Sequence, residues 1–317
     1  MKTKIFSFVK CPETSMIASV RIARFVSDTL GIDIVTDETI ADEALDTLIV
    51  VNGAYAFCKF LEPLGQAIFS AKRVVWVQND YTIIPPKPDA KAQSPFRKAF
   101  VDRREKGKMD TEYWTTCEDW AKLPGSRYVN WNCLTFREDT HQAKKRGTDL
   151  MYYGSFRDGS GKSSRKVYFD RYFASPRVPV TVSSPDKKFA ETYKSESVTH
   201  VGKIEGSLHE ELARHGAGLY IEDRMSHERY HSPANRFYEM LSAGLPMIFQ
   251  PECGTMLRRA GYNPEPYAAS NSMAVERVMS VALKKWGAEQ RDAWWQKAAE
   301  EKRALPNELI KAWKGKK

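Results

Sequence analysis

The sequence has few cysteines and no long apolar run, and each shortage argues against a class of protein. Its five cysteines are odd in number and widely spaced, without a C-x-x-C pair, so neither a disulfide framework nor a structural zinc site is indicated. No apolar stretch approaches the ~20 residues needed to span a bilayer, and the N-terminus lacks the apolar region of a signal peptide. We therefore expect a soluble, cytoplasmic protein with free thiols.

Complete glycine-rich nucleotide fingerprints are missing as well. Neither half of the chain contains G-x-G-x-x-G with a downstream acid, which argues against a Rossmann-type oxidoreductase. The run from Gly161 to Ser163 has the ending of a Walker loop, but Phe156 stands where that loop requires its first glycine. The sequence therefore does not predict a Walker-type nucleotide site.

What the sequence does have is positive charge concentrated in two blocks. The formal net charge is +9. Residues 87–108 hold eight basic and three acidic side chains, and the last sixteen residues hold six basic and one acidic. The rest of the chain is close to neutral, so a polyanionic partner, nucleic acid first, is the functional interpretation. Charge that serves solubility alone is the alternative.

The length of 317 residues and the alternation of β-rich and helical runs predict two α/β domains. Strands separated by helices imply βαβ units and parallel sheets. Strands are expected at 4–9, 33–36, 47–51, 73–78, 113–117 and 127–132, and again at 149–153, 178–183, 197–201, 217–221 and 246–250. Helices are expected at 16–30, 164–174, 208–215, 233–243 and 272–313. We predict two doubly wound Rossmann-like domains, 1–146 and 147–290, followed by a helix at 291–317.

The second predicted domain opens with a strand that leads through a loop of small residues into a helix, at 149–166. Free backbone N–H groups at the start of a helix favour an anion. Gly154 and Ser155 begin the loop. Arg157 and Lys162 lie five apart at its mouth, where they are placed to hold a diphosphate. An ordinary surface turn is the alternative interpretation.

A second candidate site is the helix in S-P-A-N-R-F-Y-E-M-L-S-A-G-L-P. Ser232 suits the N-cap, and the Gly-x-Pro at the end is a strong stop signal. The helical period places Asn235, Arg236 and Glu239 on one polar face. The alternative is an ordinary solvated helix in which Arg236 pairs with Glu239 for roughly a few tenths of a kcal/mol.

Taken together, the basic loop and the carboxylate on a helix that ends A-G-x-P before an apolar strand resemble the nucleotide-sugar site of GT-B glycosyltransferases. The likeness covers nearly the whole chain in architecture, but its specific motifs lie only at 154–166 and 231–249. It implies that Glu239 accepts hydrogen bonds from the ribose hydroxyls. It also implies that Arg157 and Lys162 hold the diphosphate, because a leaving group that gains negative charge needs fixed cations.

The same resemblance assigns further parts of the chain. Asn235 and Arg236 would line the donor pocket, and the C-terminal helix would cross back to an acceptor-binding first domain. His231 stands where many retaining members of the family carry a second acidic residue. The resemblance therefore does not identify the donor sugar. The alternative interpretation of His231 is a residue that only precedes the helix and has no contact with the sugar. There is no D-x-D metal motif, so no metal and no cofactor are expected besides the nucleotide-sugar co-substrate, while a stimulating ion stays open.

Within the first predicted domain, the stretch V-V-W-V-Q-N-D-Y ends a buried strand with Asn79 and Asp80 at its tip. A similar strand end occurs in bacteriophage DNA α-glucosyltransferases, which modify hydroxymethylated bases. The resemblance implies that Asp80 lies near the acceptor, where it orients the hydroxyl or stabilises an oxocarbenium-like transition state. The alternative is an aspartate that caps the next segment.

The charged segment 87–108 begins shortly after Asp80, so it is expected to lie over the same cleft. Its Phe96 and Phe100 are interleaved with basic residues, and phosphate contacts beside stacking surfaces suit DNA. The candidate DNA-binding residues are Arg97, Lys98, Arg103, Arg104, Lys106 and Lys108. We expect them to form one DNA-binding face with the basic C-terminus.

The sequence therefore predicts a metal-independent GT-B glycosyltransferase of phage type that is a monomer in the host cytoplasm. It would transfer a hexose, with glucose from UDP-glucose expected, to a hydroxymethylated pyrimidine such as hydroxymethylcytosine in double-stranded DNA. Two alternatives stay open. One is a GT-B enzyme with a cell-wall, lipopolysaccharide or protein acceptor, and the other is a non-catalytic nucleic-acid-binding protein on the same fold.

Overall fold

A computed structural model of the chain describes residues 2–8, 10–11, 17–41, 44–51, 61–79, 110–122, 125–139, 146–156, 164–282, 286 and 288–314. The chain divides into two compact units. Unit 1 is Met1–Leu134 with Arg303–Lys317, and unit 2 is Thr135–Lys302. The domain bounds predicted at 146 and 290 both fall inside unit 2 of this division, and they stay predictions.

Unit 1 is built on a parallel sheet of six strands in the order β2-β1-β3-β4-β5-β6. The strands are β1 Thr3–Ser7, β2 Ile34–Val35, β3 Thr47–Val51, β4 Arg73–Gln78, β5 Thr111–Thr115 and β6 Arg127–Tyr128, and the helices are α1 Ala18–Leu30, α2 Leu61–Ser70 and α3 Glu118–Ala121. Every residue of β3 and all but the first of β4 are buried, as expected for a parallel sheet covered on both faces. Helix α1 ends at Gly31, whose φ of 66° lies in the left-handed region that favours glycine.

Unit 2 is built on a second parallel sheet, of five strands in the order β11-β10-β7-β8-β9. Its strands are β7 Leu150–Tyr153, β8 Val180–Ser183, β9 Val198–Val201, β10 Ala217–Tyr220 and β11 Met247–Phe249. Its helices are α4 Lys166–Phe173, α5 Lys187–Thr192, α6 Leu208–Arg214, α7 Arg224–Arg229, α8 Asn235–Ser242, α9 Gly254–Arg259 and α10 Ser272–Arg277. The α/β class and the two doubly wound parallel sheets that the sequence predicts are therefore confirmed.

Two aromatic clusters form the core of unit 2. On one side Tyr152 and Phe156 pack with Phe169, Phe173 and Phe189, with ring centroids 4.8 to 5.9 Å apart. A second cluster joins the helix α8 to strands β10 and β11 and to the C-terminal helix through Tyr220, Phe237, Phe249, Tyr262 and Trp294. Large buried rings of this kind supply much of the apolar burial that stabilises a domain.

The stretch 272–313, which the sequence predicts to be helical, is helical over nearly all of its described residues. Helix α10 continues into a π-helical turn at Val278–Ala282, and a separate helix, α11, runs over Ala288–Lys314. Between them Trp286 is not helical; its ring packs on Tyr267 with centroids 4.8 Å apart. None of the described helices combines the length and the apolar character needed to cross a membrane.

Candidate functional site in unit 2

The candidate site lies where the strand order of the second sheet reverses, between the neighbouring strands β7 and β10. Open α/β sheets bind ligands at the carboxyl ends of their strands at such a reversal. The loop after β7 begins with Gly154, and the loop after β10 begins with Ile221. Helix α8 packs against β10 so closely that a Cβ on Gly218 would lie 2.7 Å from the Met240 sulfur. Glycine in β10 therefore sets how near α8 can lie to these strand ends.

The carboxylate of Glu239 is buried at this edge. Glu239 is 7% exposed, and its Oε2 accepts a hydrogen bond of 2.8 Å from the hydroxyl of Tyr153, the last residue of β7. Burial and the neighbouring Glu239 charge raise the pKa of Tyr153 well above its ordinary value of 10.0. The hydroxyl therefore stays protonated and donates. The interpretation of α8 as an ordinary solvated helix with an Arg236–Glu239 pair is wrong.

The start of α8 differs from the prediction. The N-cap residue is Ala234, not Ser232, and no side chain caps the helix. Instead the backbone N–H of Ala234 donates to the Tyr220 hydroxyl over 2.8 Å. The end of α8 agrees with its stop signal, since Gly244 has a φ of 61° and the N–H of Leu245 donates to the Met240 carbonyl. A tyrosine at the end of β10 thus fixes one end of α8, while another at the end of β7 holds Glu239.

Arg236 is bonded both to the end of β7 and to the first residue after β10. Its Nη1 donates to the Tyr152 hydroxyl and to the Tyr153 carbonyl, both over 3.1 Å, and its Nη2 donates to the Ile221 carbonyl over 2.8 Å. A Cβ on Gly154 would lie 2.7 Å from Nη1, and this glycine has a φ of 140°. Glycine is required here on both counts, since other residues rarely adopt that φ.

Glu222 holds two buried guanidinium groups together. It accepts hydrogen bonds of 2.6 Å from Nη2 of Arg236 and from Nη2 of Arg165, and Asp223 lies 3.9 Å from Arg165. The side chains of Glu222, Arg165 and Arg236 are 3%, 7% and 12% exposed. Burial lowers the pKa of Arg236, but Glu222 and the nearby Tyr152 raise it well above its ordinary value. Arg236 is therefore a fixed positive charge.

Phe156 explains why the loop after β7 departs from a Walker loop. Its side chain is 1% exposed and stacks on Phe189, with centroids 4.8 Å apart. Phe156 is thus fixed in the core, and Arg165, further along the chain, is bound to Glu222. A glycine at 156 would remove this ring packing.

The structure brings together three of the predicted donor-binding residues and describes three more nearby in the chain. Gly154, Arg236 and Glu239 converge at the ends of β7 and β10. Ser155 is exposed in the same loop, whereas His231 and Asn235 are half-buried before and at the start of α8. The remaining predicted site residues lie outside the described residues; they are Asp80, Arg97, Lys98, Arg103, Arg104, Lys106, Lys108, Arg157 and Lys162.

Three residues of this site were not identified from the sequence: Tyr153, Arg165 and Glu222. One signal was available, because Glu222 and Asp223 directly follow a strand predicted at 217–221 next to the expected strand reversal. Acids at such a place are candidates for binding or for holding cations. Arg165 and Tyr153 carry no local pattern, since their partners are 57 and 86 residues away in the chain.

Chemically, this edge of the sheet offers a buried carboxylate beside a charged cluster. A carboxylate accepts several hydrogen bonds at once and can bind two neighbouring hydroxyls. Within the described part of the chain, no group of three His, Cys, Asp or Glu side chains is arranged to hold a metal ion. The site as described is thus suited to a ligand that carries adjacent hydroxyl groups.

Comparison with known proteins identifies the fold. No protein-family model and no curated protein sequence matches the chain. Among solved structures, the chain is similar to T4 phage BGT in complex with its UDP-glucose substrate, with a TM-score of 0.67 and 16% identity over 98% of this chain and 99% of that one. It is also similar to an alpha-glucosyltransferase in complex with UDP and a 13-mer DNA containing a central A:G mismatch, with a TM-score of 0.54 and 11% identity over 98% and 95% of the two chains. Over nearly its whole length, the chain has the two-domain GT-B fold of these glycosyltransferases.

Proposed function

We propose that the chain is a nucleotide-sugar-dependent glycosyltransferase that transfers glucose from UDP-glucose to hydroxymethylated pyrimidines in DNA. The observation that carries the proposal is the buried carboxylate of Glu239 at the strand reversal of the second sheet. In the proposed complex this carboxylate accepts hydrogen bonds from the two ribose hydroxyls of the donor. Asn235 and Arg236 border the same ligand, and His231 lies on the sugar side.

The diphosphate would be held by the segment that follows β7. Arg157 directly follows the buried Phe156, and Lys162 precedes Arg165 by three residues, so both are close in the chain to residues of the described site. The two arginines described at this site, Arg165 and Arg236, already pair with Glu222. Additional cations are therefore needed to offset a diphosphate, and Arg157 and Lys162 are the proposed source.

In the reaction these cations stabilise the negative charge that grows on the leaving diphosphate as the glycosidic bond breaks. Asp80 is proposed to serve the acceptor hydroxyl, either by orienting it or by stabilising positive charge on the sugar. A base inside a duplex must leave the stack before its hydroxymethyl group can reach the sugar. No metal ion has a part in this scheme.

DNA is the proposed acceptor because the positive charge of the chain is concentrated in 87–108 and in the last sixteen residues. A protein that neutralises phosphates gains affinity at low salt and loses it steeply as salt rises. Neutralising Arg97, Lys98, Arg103 and Arg104 is expected to weaken DNA binding and flatten its salt dependence. The solved structures similar to this chain include one with UDP-glucose and one with UDP and DNA, which supports the same pairing of ligands.

The experiment is a transfer assay with a panel of donors and acceptors. The protein is incubated with several nucleotide sugars and with duplex DNA that contains either ordinary or hydroxymethylated pyrimidines. The DNA is then digested to nucleosides, whose masses are measured by mass spectrometry. We expect a hexose to appear only on the hydroxymethylated base and most rapidly from UDP-glucose. Glu239→Gln keeps the shape but loses the charge, and each charge-assisted hydrogen bond lost is expected to lower transfer by about tenfold.

The control is Glu276→Gln, at an exposed glutamate on α10 in the same unit, which should transfer glucose at the wild-type rate. Transfer to an acceptor other than DNA would favour a different GT-B specificity. DNA binding without turnover of any nucleotide sugar would favour a non-catalytic protein. Full activity of Glu239→Gln would contradict the ribose role of this carboxylate.

A further inference from the structure

Strand β7 and helix α8 are locked together through the last two residues of the strand. Arg236 donates to the Tyr152 hydroxyl and to the Tyr153 carbonyl, while the Tyr153 hydroxyl donates to Glu239. Arg236 and Glu239, the two polar residues of α8 at the strand ends, are therefore both bonded to Tyr152 or Tyr153, the residues that precede Gly154. This contact lies entirely within unit 2.

The geometry around the Tyr153 hydroxyl indicates which acceptor takes its proton. Glu239 Oε2 lies 2.8 Å from the hydroxyl oxygen and the Arg236 carbonyl lies 3.3 Å from it. A hydroxyl has one proton to donate, and the charged, nearer acceptor gives the stronger bond. The hydroxyl is itself immobile, because Tyr153 is 9% exposed and ends a paired strand.

A glutamate side chain has three rotatable bonds, so its carboxylate binds a ligand well only when its rotamer is fixed beforehand. A bond from Tyr153 to one oxygen restricts the rotamer of the Glu239 side chain and the position of its carboxylate. The directions from which the carboxylate can accept hydrogen bonds from a ligand are restricted in the same way. Discrimination between a ligand with two neighbouring hydroxyls and one that lacks either of them depends on those restricted directions.

We propose that Tyr153 is a positioning residue that aims Glu239 and thereby sets how strongly the site prefers a nucleotide with both ribose hydroxyls. The proposal rests on the proposed function, since it takes Glu239 as the ribose ligand. Tyr153 itself contacts no part of the donor; it acts only through Glu239. In this proposal Glu239 and Tyr153 together, rather than Glu239 alone, determine how strongly the chain prefers ribonucleotides to deoxyribonucleotides.

The test is calorimetric titration of the full chain with UDP, 2′-deoxy-UDP and 3′-deoxy-UDP, in the wild type and in Tyr153→Phe. The matched control is Tyr193→Phe, because Tyr193 is also buried in unit 2 and its hydroxyl donates to a carboxylate, Asp170, over 2.6 Å. We expect the wild type and the control to prefer UDP over both deoxy forms by a similar factor. In Tyr153→Phe that factor should fall by roughly tenfold, the loss expected for one charge-assisted hydrogen bond.

A structural role for Tyr153 would lower stability without changing the preference, so circular dichroism melting of each variant accompanies the titrations. An unchanged preference in Tyr153→Phe overturns the positioning role and leaves the proposed function standing. A wild type that binds UDP without preferring it over the deoxy forms overturns the ribose role of Glu239 and the inference with it. A wild type that binds none of the three nucleotides overturns the proposed function itself.

Discussion

Replacing Glu222 is the sharpest test of how the site in unit 2 is held together. Its side chain is 3% exposed and accepts hydrogen bonds of 2.6 Å from both Arg165 and Arg236. Removing one partner of a buried ion pair costs about 3–5 kcal/mol, because the remaining charge is left in a medium that solvates it poorly. Here the loss falls on two arginines at once.

The two arginines do not lose equally. Arg236 keeps its hydrogen bonds to Ile221, Tyr152 and Tyr153, whereas Arg165 is left with Asp223 at 3.9 Å. Glu222→Gln keeps the shape and offers a single neutral oxygen, so we expect it to lose about 3 kcal/mol, at the low end of the range for a broken buried pair. Against a total stability of about 5–15 kcal/mol for a typical domain, such a variant still folds.

The assay is urea unfolding followed by circular dichroism, with the midpoint of the transition as the readout. The control is Glu265→Gln, whose partner Arg258 lies 3.0 Å away in a pair with both side chains largely exposed. Exposed pairs contribute about 0–1 kcal/mol, so the midpoint of the control should barely move. If Glu222→Gln unfolded at the same urea concentration as Glu265→Gln, the account of a charged cluster that organises this edge of the sheet would be wrong.

Two further predictions concern backbone strain and pH. Gly154→Ala should lower the free energy of unfolding by about 1–3 kcal/mol and weaken UDP binding, because the new Cβ meets Arg236 and the φ of 140° is strained for alanine; urea unfolding and calorimetry check both. His215 donates from Nδ1 to Asp149 over 2.7 Å and from Nε2 to Glu211 over 3.3 Å when protonated. Burial opposes the charge of both groups, but the contact raises the pKa of His215 above 6.5 and lowers that of Asp149 from 3.8 to about 2. The pair's contribution should be complete between about pH 4 and 6.5, fall as pH rises through the raised His215 pKa, and fall in acid as Asp149 is protonated towards pH 2. His215→Gln should therefore lose the alkaline decline in stability; a variant that keeps it would contradict this assignment.

The strands of both sheets were predictable because buried parallel strands are nearly continuous apolar runs. The predicted bounds of β3 and β4 agree with the structure at both ends. The prediction for β5 began two residues late, since Glu112 interrupts its apolar pattern. In the fold this glutamate is fully buried and pairs with Arg73 over 2.9 Å. A charge satisfied by a residue of the neighbouring strand cannot be distinguished from a loop residue by local pattern alone.

The candidate site was predictable in outline for a similar reason. A glycine in a strand-to-helix loop and a glutamate on a helix between a start signal and a stop signal are local features, so Gly154 and Glu239 were both identified. The burial of Glu239 was not, because its partner Tyr153 lies on a different element. Likewise Ser232 has the residue type of an N-cap, but the Tyr220 hydroxyl takes the helix N–H instead. Hydrogen bonds between side chains on different helices and strands depend on how those elements pack, and the sequence of a single segment does not determine that packing.

The central claim is that the carboxyl ends of β7 and β10 bind an activated sugar through its nucleoside, with Glu239 as the ribose ligand. The most direct test is a crystal structure of the full chain, determined from crystals soaked in UDP-glucose. The account predicts both ribose hydroxyls within hydrogen-bond distance of the Glu239 carboxylate, with Tyr153 still bound to its other side. A nucleotide bound elsewhere on the chain, with this edge of the second sheet occupied only by solvent, would contradict it.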